Sequence, residues 1–161
     1  MPWDKPYRAA TNRRLDAELY VSASRVYFIT IRAYTNQAAF VRPELNQLVL
    51  DVLAEEQERQ ECSVFTYCLM PDHLHFLISP RREGISVLTF TDQYKGKATN
   101  RSWTVGWRGK LWQPRYYDHI VRSQESLLEI AEYILSNPIR RGLVERAEDW
   151  PWSGYLHPLP V

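Results

Sequence analysis

Two histidines one residue apart, His73 and His75, follow the turn pair Pro71-Asp72 and head the apolar run Leu74-His75-Phe76-Leu77-Ile78. Successive side chains of an extended strand point to opposite faces, so the two imidazoles share one face while Leu74, Phe76 and Ile78 share the other. Imidazole is the commonest metal ligand, and a same-face pair drawn from only 4 histidines is the start of a metal site. Two solvent-facing histidines would read the same way. A site needs a further ligand and a group that reacts.

Tyr133 and Asn137 lie four residues apart in a helical pattern, one above the other on the same side. At ~100° per residue that side is the shoulder of the stripe formed by Leu127, Ala131 and Ile134. Side chains on such a shoulder can look into a cleft. The spacing alone favours the plainer reading, a boundary aromatic with its hydroxyl in water and a C-terminal cap. Cys62 and Cys68 stand in no suggestive pattern with the histidines. A structural zinc would more typically show four Cys or His ligands at closed spacing.

The elements that must position these residues follow from periodicity. Arg25 to Ala33 is rich in β-branched and aromatic residues and reads as a first, central strand. After the polar link Thr35-Asn36-Gln37, the segment Pro43 to Gln60 carries Leu45, Leu48, Val49, Val52 and Leu53 at amphipathic helical spacing, and its Glu55, Glu56 and Glu58 read as a solvated face. Cys62 to Leu69 and His73 to Ser79 read as an antiparallel hairpin turning at Met70-Pro71-Asp72. Ile85 to about Thr99 reads as a helix, Tyr116 to Val121 as a fourth strand, and Ser123 as the N-cap of a last helix that Pro138 should stop. Residues 1–22 read as an N-terminal arm loosely ordered at its start, and the residues from about 153 to 161 as a tail.

This order predicts an α+β fold, a ferredoxin-like βαββαβ antiparallel sheet with an additional C-terminal catalytic helix. Both crossover helices should cover one face, leaving the other for ligands or for the last helix. A length of 161 residues suits one domain with a substantial core. With 20 Lys+Arg against 19 Asp+Glu, bulk charge announces no nucleic-acid binder, so any basic surface must come from local clustering. Two cysteines about 20 Å apart along one strand read as reduced thiols of a cytoplasmic protein. No apolar run is long enough to suggest a membrane role.

Taken together, Pro71-Asp72-His73-Leu74-His75, the stretch Leu111 to His119, Tyr133-Ile134-Leu135-Ser136-Asn137-Pro138 and Asp149-Trp150-Pro151-Trp152-Ser153 carry a family likeness. The combination resembles the single-tyrosine HUH transposases (IS200-like), and within them the REP-associated tyrosine transposases. The likeness runs from about Tyr27 to Tyr155. It implies that His73 and His75 bind a divalent metal ion, Mg2+ or Mn2+, that Tyr133 is the nucleophile, and that Asn137 is a further metal ligand.

The activity implied is nicking and rejoining of single-stranded DNA beside a hairpin of the repetitive extragenic palindromic type, through a 5′-phosphotyrosine. Relatives act as monomers or as homodimers that trade the tyrosine helix. Lys95, Lys97, Arg101, Arg108, Lys110 and Arg115 would then supply phosphate contacts, with Trp112 a stacking platform or, equally, a core residue. Tyr116 and Tyr117 are rival nucleophiles on opposite strand faces, and His119 shares a face with Tyr117. The competing readings are a hairpin-binding protein that no longer cuts, and a metal phosphodiesterase that uses water.

Overall fold

The computed structural model describes residues 14–34 and 38–161. The beginning of the arm and the link Thr35-Asn36-Gln37 lie outside them. In chain order come β1 (Val26–Arg32), α1 (Pro43–Arg59), β2 (Cys62–Met70), β3 (His73–Pro80), α2 (Val87–Ser102), β4 (Tyr117–Val121), α3 (Gln124–Arg140) and β5 (Ser153–Tyr155). The sheet runs β4-β1-β3-β2-β5, and every neighbouring pair is antiparallel. This is the ferredoxin-like order with one strand added at the β2 edge. That strand comes from the stretch expected to be a tail.

Alternation along the central strands divides the sheet into two faces. Ile29 and Ile31 of β1, Val64 and Leu69 of β2, and Leu74, Phe76 and Ile78 of β3 form one core with Leu45, Val49 and Leu53 of α1 and Phe90 and Tyr94 of α2. Phe28, Phe65, Cys68, Met70 and Leu77 form a second core with Leu127, Ile130, Ala131 and Ile134 of α3. The last helix therefore fills the face left open by the two crossover helices. Among the described residues no helix is long and apolar enough to cross a membrane.

The helix boundaries show which local signals prevailed. Pro43 starts α1 at its first turn, and the Ser86 and Ser123 hydroxyls accept from the N–H groups of Thr89 and Ser126 to cap α2 and α3. Pro138 does not stop α3, which runs on to Arg140. Proline removes one N–H but leaves the following turn free to form, and the real stop is Gly142 at φ 72°. Its N–H donates to Ile139 and that of Leu143 to Pro138, closing the helix with a left-handed glycine cap.

A second correction concerns Glu56, which is wholly buried rather than solvated. Arg59, Gln60 and Lys97 all donate to its carboxylate, so it bridges α1 to α2. These hydrogen bonds, led by that of Arg59, hold its pKa down to about 2. The described end of the arm is also tied down: Tyr20 is buried and donates to Asp118 at 2.6 Å, and Arg14 donates to the same carboxylate at 3.0 Å.

Candidate active site

The hairpin turn at Pro71-Asp72 sets the histidine pair at the head of β3, at one end of the sheet. In the β1–β3 register Thr30 lies opposite His75 and Arg32 opposite His73. All four side chains belong to the face that α3 covers. The apolar contacts of α3 extend to Ile134, and its last turns carry Tyr133, Asn137, Arg140 and Arg141 over the imidazoles. A cavity of about 230 Å³ opens there, lined by these residues.

Within it the two imidazoles meet edge to face, with their Nε2 atoms 3.0 Å apart. Each ring is held from behind. His73 Nδ1 lies 2.7 Å from Asp72 Oδ1, and His75 Nδ1 lies 2.7 Å from Thr30 Oγ1. Asn137 Nδ2 stands 3.2 Å from His73 Nε2. Burial lowers the pKa of both histidines, that of His75 furthest, so neutral imidazoles prevail at pH 7. The hydrogen bond from His73 keeps Asp72 an ionised carboxylate, with Arg141 Nη2 3.8 Å away.

The Tyr133 ring centroid is 6.1 Å from that of His75. Arg140 stacks its guanidinium 4.0 Å from the centre of the tyrosine ring and donates both to the Tyr133 carbonyl at 2.9 Å and to the Ser136 hydroxyl. The stack holds the ring on the cavity side of α3. His73, His75, Tyr133 and Asn137 thus converge on one cavity. Two imidazoles backed by a carboxylate and a hydroxyl, with an amide alongside, could hold a divalent cation with positions left for substrate oxygens. No group of three His, Cys, Asp or Glu suited to a metal occurs among the described residues.

The basic residues expected to meet DNA are placed differently. α2 lies across the sheet from the cavity, and its cations are engaged by protein groups. Lys95 donates to the carbonyls of Gln113 and Pro114, Lys97 pairs with Glu56, and Arg101 with Glu55. Trp112 is only 4% exposed and packs against Phe40 and Tyr94, which makes it a core residue rather than a stacking platform. Arg108, Lys110 and Arg115 are exposed on the segment before β4. Tyr116 is buried in the core beneath the crossover helices; Tyr117 and His119 lie on the α3 face of edge strand β4, outside the cavity lining.

Sequence reasoning missed Thr30, Arg32, Arg140 and Arg141. Arg140 was within reach, two helical turns after Tyr133. A larger cavity, about 630 Å³, opens at the other end of α3 beside Ser123 and Leu127, but no His, Cys, Asp, Glu or Tyr lines it. The smaller one holds the chemistry.

A ferredoxin-like sheet thus carries the histidine pair beneath a last helix that bears Tyr133. The profile of the family described as "Transposase IS200 like" matches residues 21–137, and the chain belongs to that family. A REP-associated tyrosine transposase of Escherichia coli K12 is 21% identical over 136 residues, covering 84% of this chain and 79% of the relative. A provisionally named REP-associated tyrosine transposase of Haemophilus influenzae is 23% identical over 145 residues, covering 81% of this chain and 79% of the relative. Among solved structures, a REP-associated tyrosine transposase bound to a REP hairpin superposes with a TM-score of 0.72 at 21% identity, over 88% of this chain and 80% of that one.

Proposed function

We propose that this enzyme cleaves and rejoins single-stranded DNA next to a hairpin, with Tyr133 as nucleophile and a divalent cation, Mg2+ or Mn2+, held by His73, His75 and Asn137. The observation that carries this reading is the convergence of both histidine Nε2 atoms with Tyr133 and Asn137 on one cavity. In the forward step Tyr133 Oη bonds to phosphorus while the bond to the 3′ oxygen breaks. The phenol gives up its proton, the 3′ oxygen gains one, and the phosphoryl group stays on the protein as a 5′-phosphotyrosine. Rejoining reverses these bond changes, so water has no part in the attack.

A bound divalent cation would polarise the phosphate and offset the charge developing on it. The chain's own residues do the rest. Arg140 orients the tyrosine ring, Arg32 and Arg141 bring positive charge to the cavity for the phosphodiester, and Asp72 and Thr30 aim the imidazoles. REP-type hairpin DNA is the partner that the names of the relatives suggest, and work on DNA with two buried free thiols suits the cytoplasm.

The test is a labelled hairpin oligonucleotide with a single-stranded flank, incubated with protein and Mg2+ and resolved under denaturing conditions. Wild type should yield a covalent adduct that both Tyr133→Phe and His73→Ala lose, by on the order of 10³-fold or more. An undiminished adduct from Tyr133→Phe would place the nucleophile elsewhere.

A further inference from the structure

Beyond Arg32 the chain of β1 keeps its pairing a little further. The Ala33 N–H donates to the Asp72 carbonyl at 2.9 Å, Ala33 bridges Trp112 in antiparallel fashion, and the Tyr34 N–H donates to the Leu111 carbonyl at 3.0 Å. Alternation sends Ala33 into the core beneath the crossover helices and returns Tyr34 to the side of the sheet that carries Arg32 and the histidines. At strand rise Tyr34 stands ~7 Å past Arg32. Its side chain stays open to solvent, the residue being 44% exposed. Of the most exposed aromatics among the described residues, Tyr34, Trp103 and Tyr155, only Tyr34 prolongs a strand that lines the cavity.

The segment facing Tyr34 is held one carbonyl at a time. Trp103 Nε1 donates to the Gly109 carbonyl at 2.9 Å, Trp107 Nε1 to that of Lys110 at 3.1 Å, and the Tyr34 N–H to that of Leu111. Gly109 takes a left-handed φ of 77° along this path, which suits a residue without Cβ. So fixed, the segment carries Lys110 Nζ to 5.3 Å from the centre of the Tyr34 ring. The ammonium of Lys97 meets the Glu56 carboxylate, whereas that of exposed Lys110 lies over a ring. An aromatic ring and an ammonium presented side by side match the two parts of a nucleotide, a face for its base and a cation for its phosphate.

We propose that Tyr34 and Lys110 form a nucleotide subsite beside the catalytic cavity, in which the Tyr34 ring stacks on a base of the single-stranded flank and Lys110 meets a phosphate of the same stretch. Arg32 stands between this subsite and the histidines, so the bound strand runs from the cavity past Arg32 onto Tyr34. Stacking accepts any base, because every base has a π-face. The subsite therefore sets how the flank lies, and with it which phosphate reaches Tyr133, and leaves the reading of sequence to other groups. The inference rests on the DNA reading above but involves neither the histidines nor the cation.

Abasic scanning of the single-stranded flank tests it. The full chain is titrated in EDTA, where cleavage is blocked, with a fluorescent hairpin oligonucleotide whose flank lacks one base at a time. Wild type should lose about 10-fold in affinity where the missing base is the one that stacks, and Tyr34→Ala should bind the intact flank about 10-fold more weakly yet ignore that same deletion. Tyr34→Phe keeps the ring and should match wild type. Lys110→Ala should lower the slope of log affinity against log salt by about 0.7. Wild type indifferent to every deletion, or Tyr34→Ala as sensitive as wild type at each position, overturns the subsite.

The covalent-adduct assay with Mg2+ separates this outcome from the function proposed above. Adduct formation without any coupling between Tyr34 and a flank base leaves strand transfer standing and removes the subsite. Coupling in a wild-type protein that forms no adduct does the reverse.

Discussion

The two faces of this sheet are built from the same three central strands, yet they end in different chemistry. Beneath α1 and α2 every inward residue of β3 is apolar, and the buried carboxylates Glu56 and Asp118 are satisfied within the protein, the first by Arg59, Gln60 and Lys97 and the second by Tyr20 and Arg14. Beneath α3 the packing is apolar only as far as Ile134 and Leu77, after which it gives way to His73, His75 and Asn137. Both faces carry buried polar groups. On both they meet one another, but only on the second do they also line a cavity.

The largest effect separating the faces should come from the neighbours Phe76 and His75. Phe76→Ala removes a wholly buried ring from the crossover-helix core and should cost about 3–5 kcal/mol, lowering Tm by roughly 10 °C in calorimetry. His75→Ala should leave Tm far closer to wild type while abolishing adduct formation. A drop in Tm as large as that of Phe76→Ala would mean that the histidine face is built for stability after all.

Next comes Glu56→Gln, which leaves Lys97 facing a neutral amide and should cost about 1–3 kcal/mol. Its pH signature follows from the depressed pKa. The carboxylate contribution is complete above the ordinary value of 4.5 and is lost as pH falls toward about 2. Urea melts from pH 5 to pH 3 should therefore show stability falling more steeply in wild type than in Glu56→Gln. Parallel slopes would remove Glu56 from the acid sensitivity of the fold.

Arginine and lysine on opposite faces divide in their response to salt. Arg32→Ala should weaken single-stranded DNA binding and reduce the slope of log affinity against log salt by about 0.7. Lys97→Ala should leave that slope unchanged and lower stability instead. A reduced slope for Lys97→Ala would restore α2 to the DNA surface. The smallest effect is expected at Gly142, where φ of 72° disfavours any side chain bearing Cβ. Gly142→Ala should cost about 1 kcal/mol and roughly 2–4 °C in Tm, loosening the last turn of α3.

Much of this division was legible in local spacing. Strand alternation put His73 and His75 on one face and Leu74 and Phe76 on the other, and helical periodicity put Tyr133 and Asn137 on one side of α3. Each of these relations depends only on residues a few positions apart. The element order also led to the sheet, because six elements in ferredoxin-like sequence leave few ways to pair. The protein partners of the basic residues on α2 were not legible for the converse reason. Lys97 and Arg101 look free along the chain, but their acidic partners are 41 and 46 residues away on α1.

What the sequence by itself determined is which candidate side chains stand together, since residue type and short-range period fix which of them share a face. What only the tertiary structure decided is which groups stand behind and around them. The β1–β3 register sets Thr30 and Arg32 against the histidines, and the continuation of α3 through Pro138 carries Arg140 and Arg141 to the cavity. The reason is physical: register and helix docking come from burying two apolar faces at once, a condition on the whole sheet that no single stretch of chain expresses.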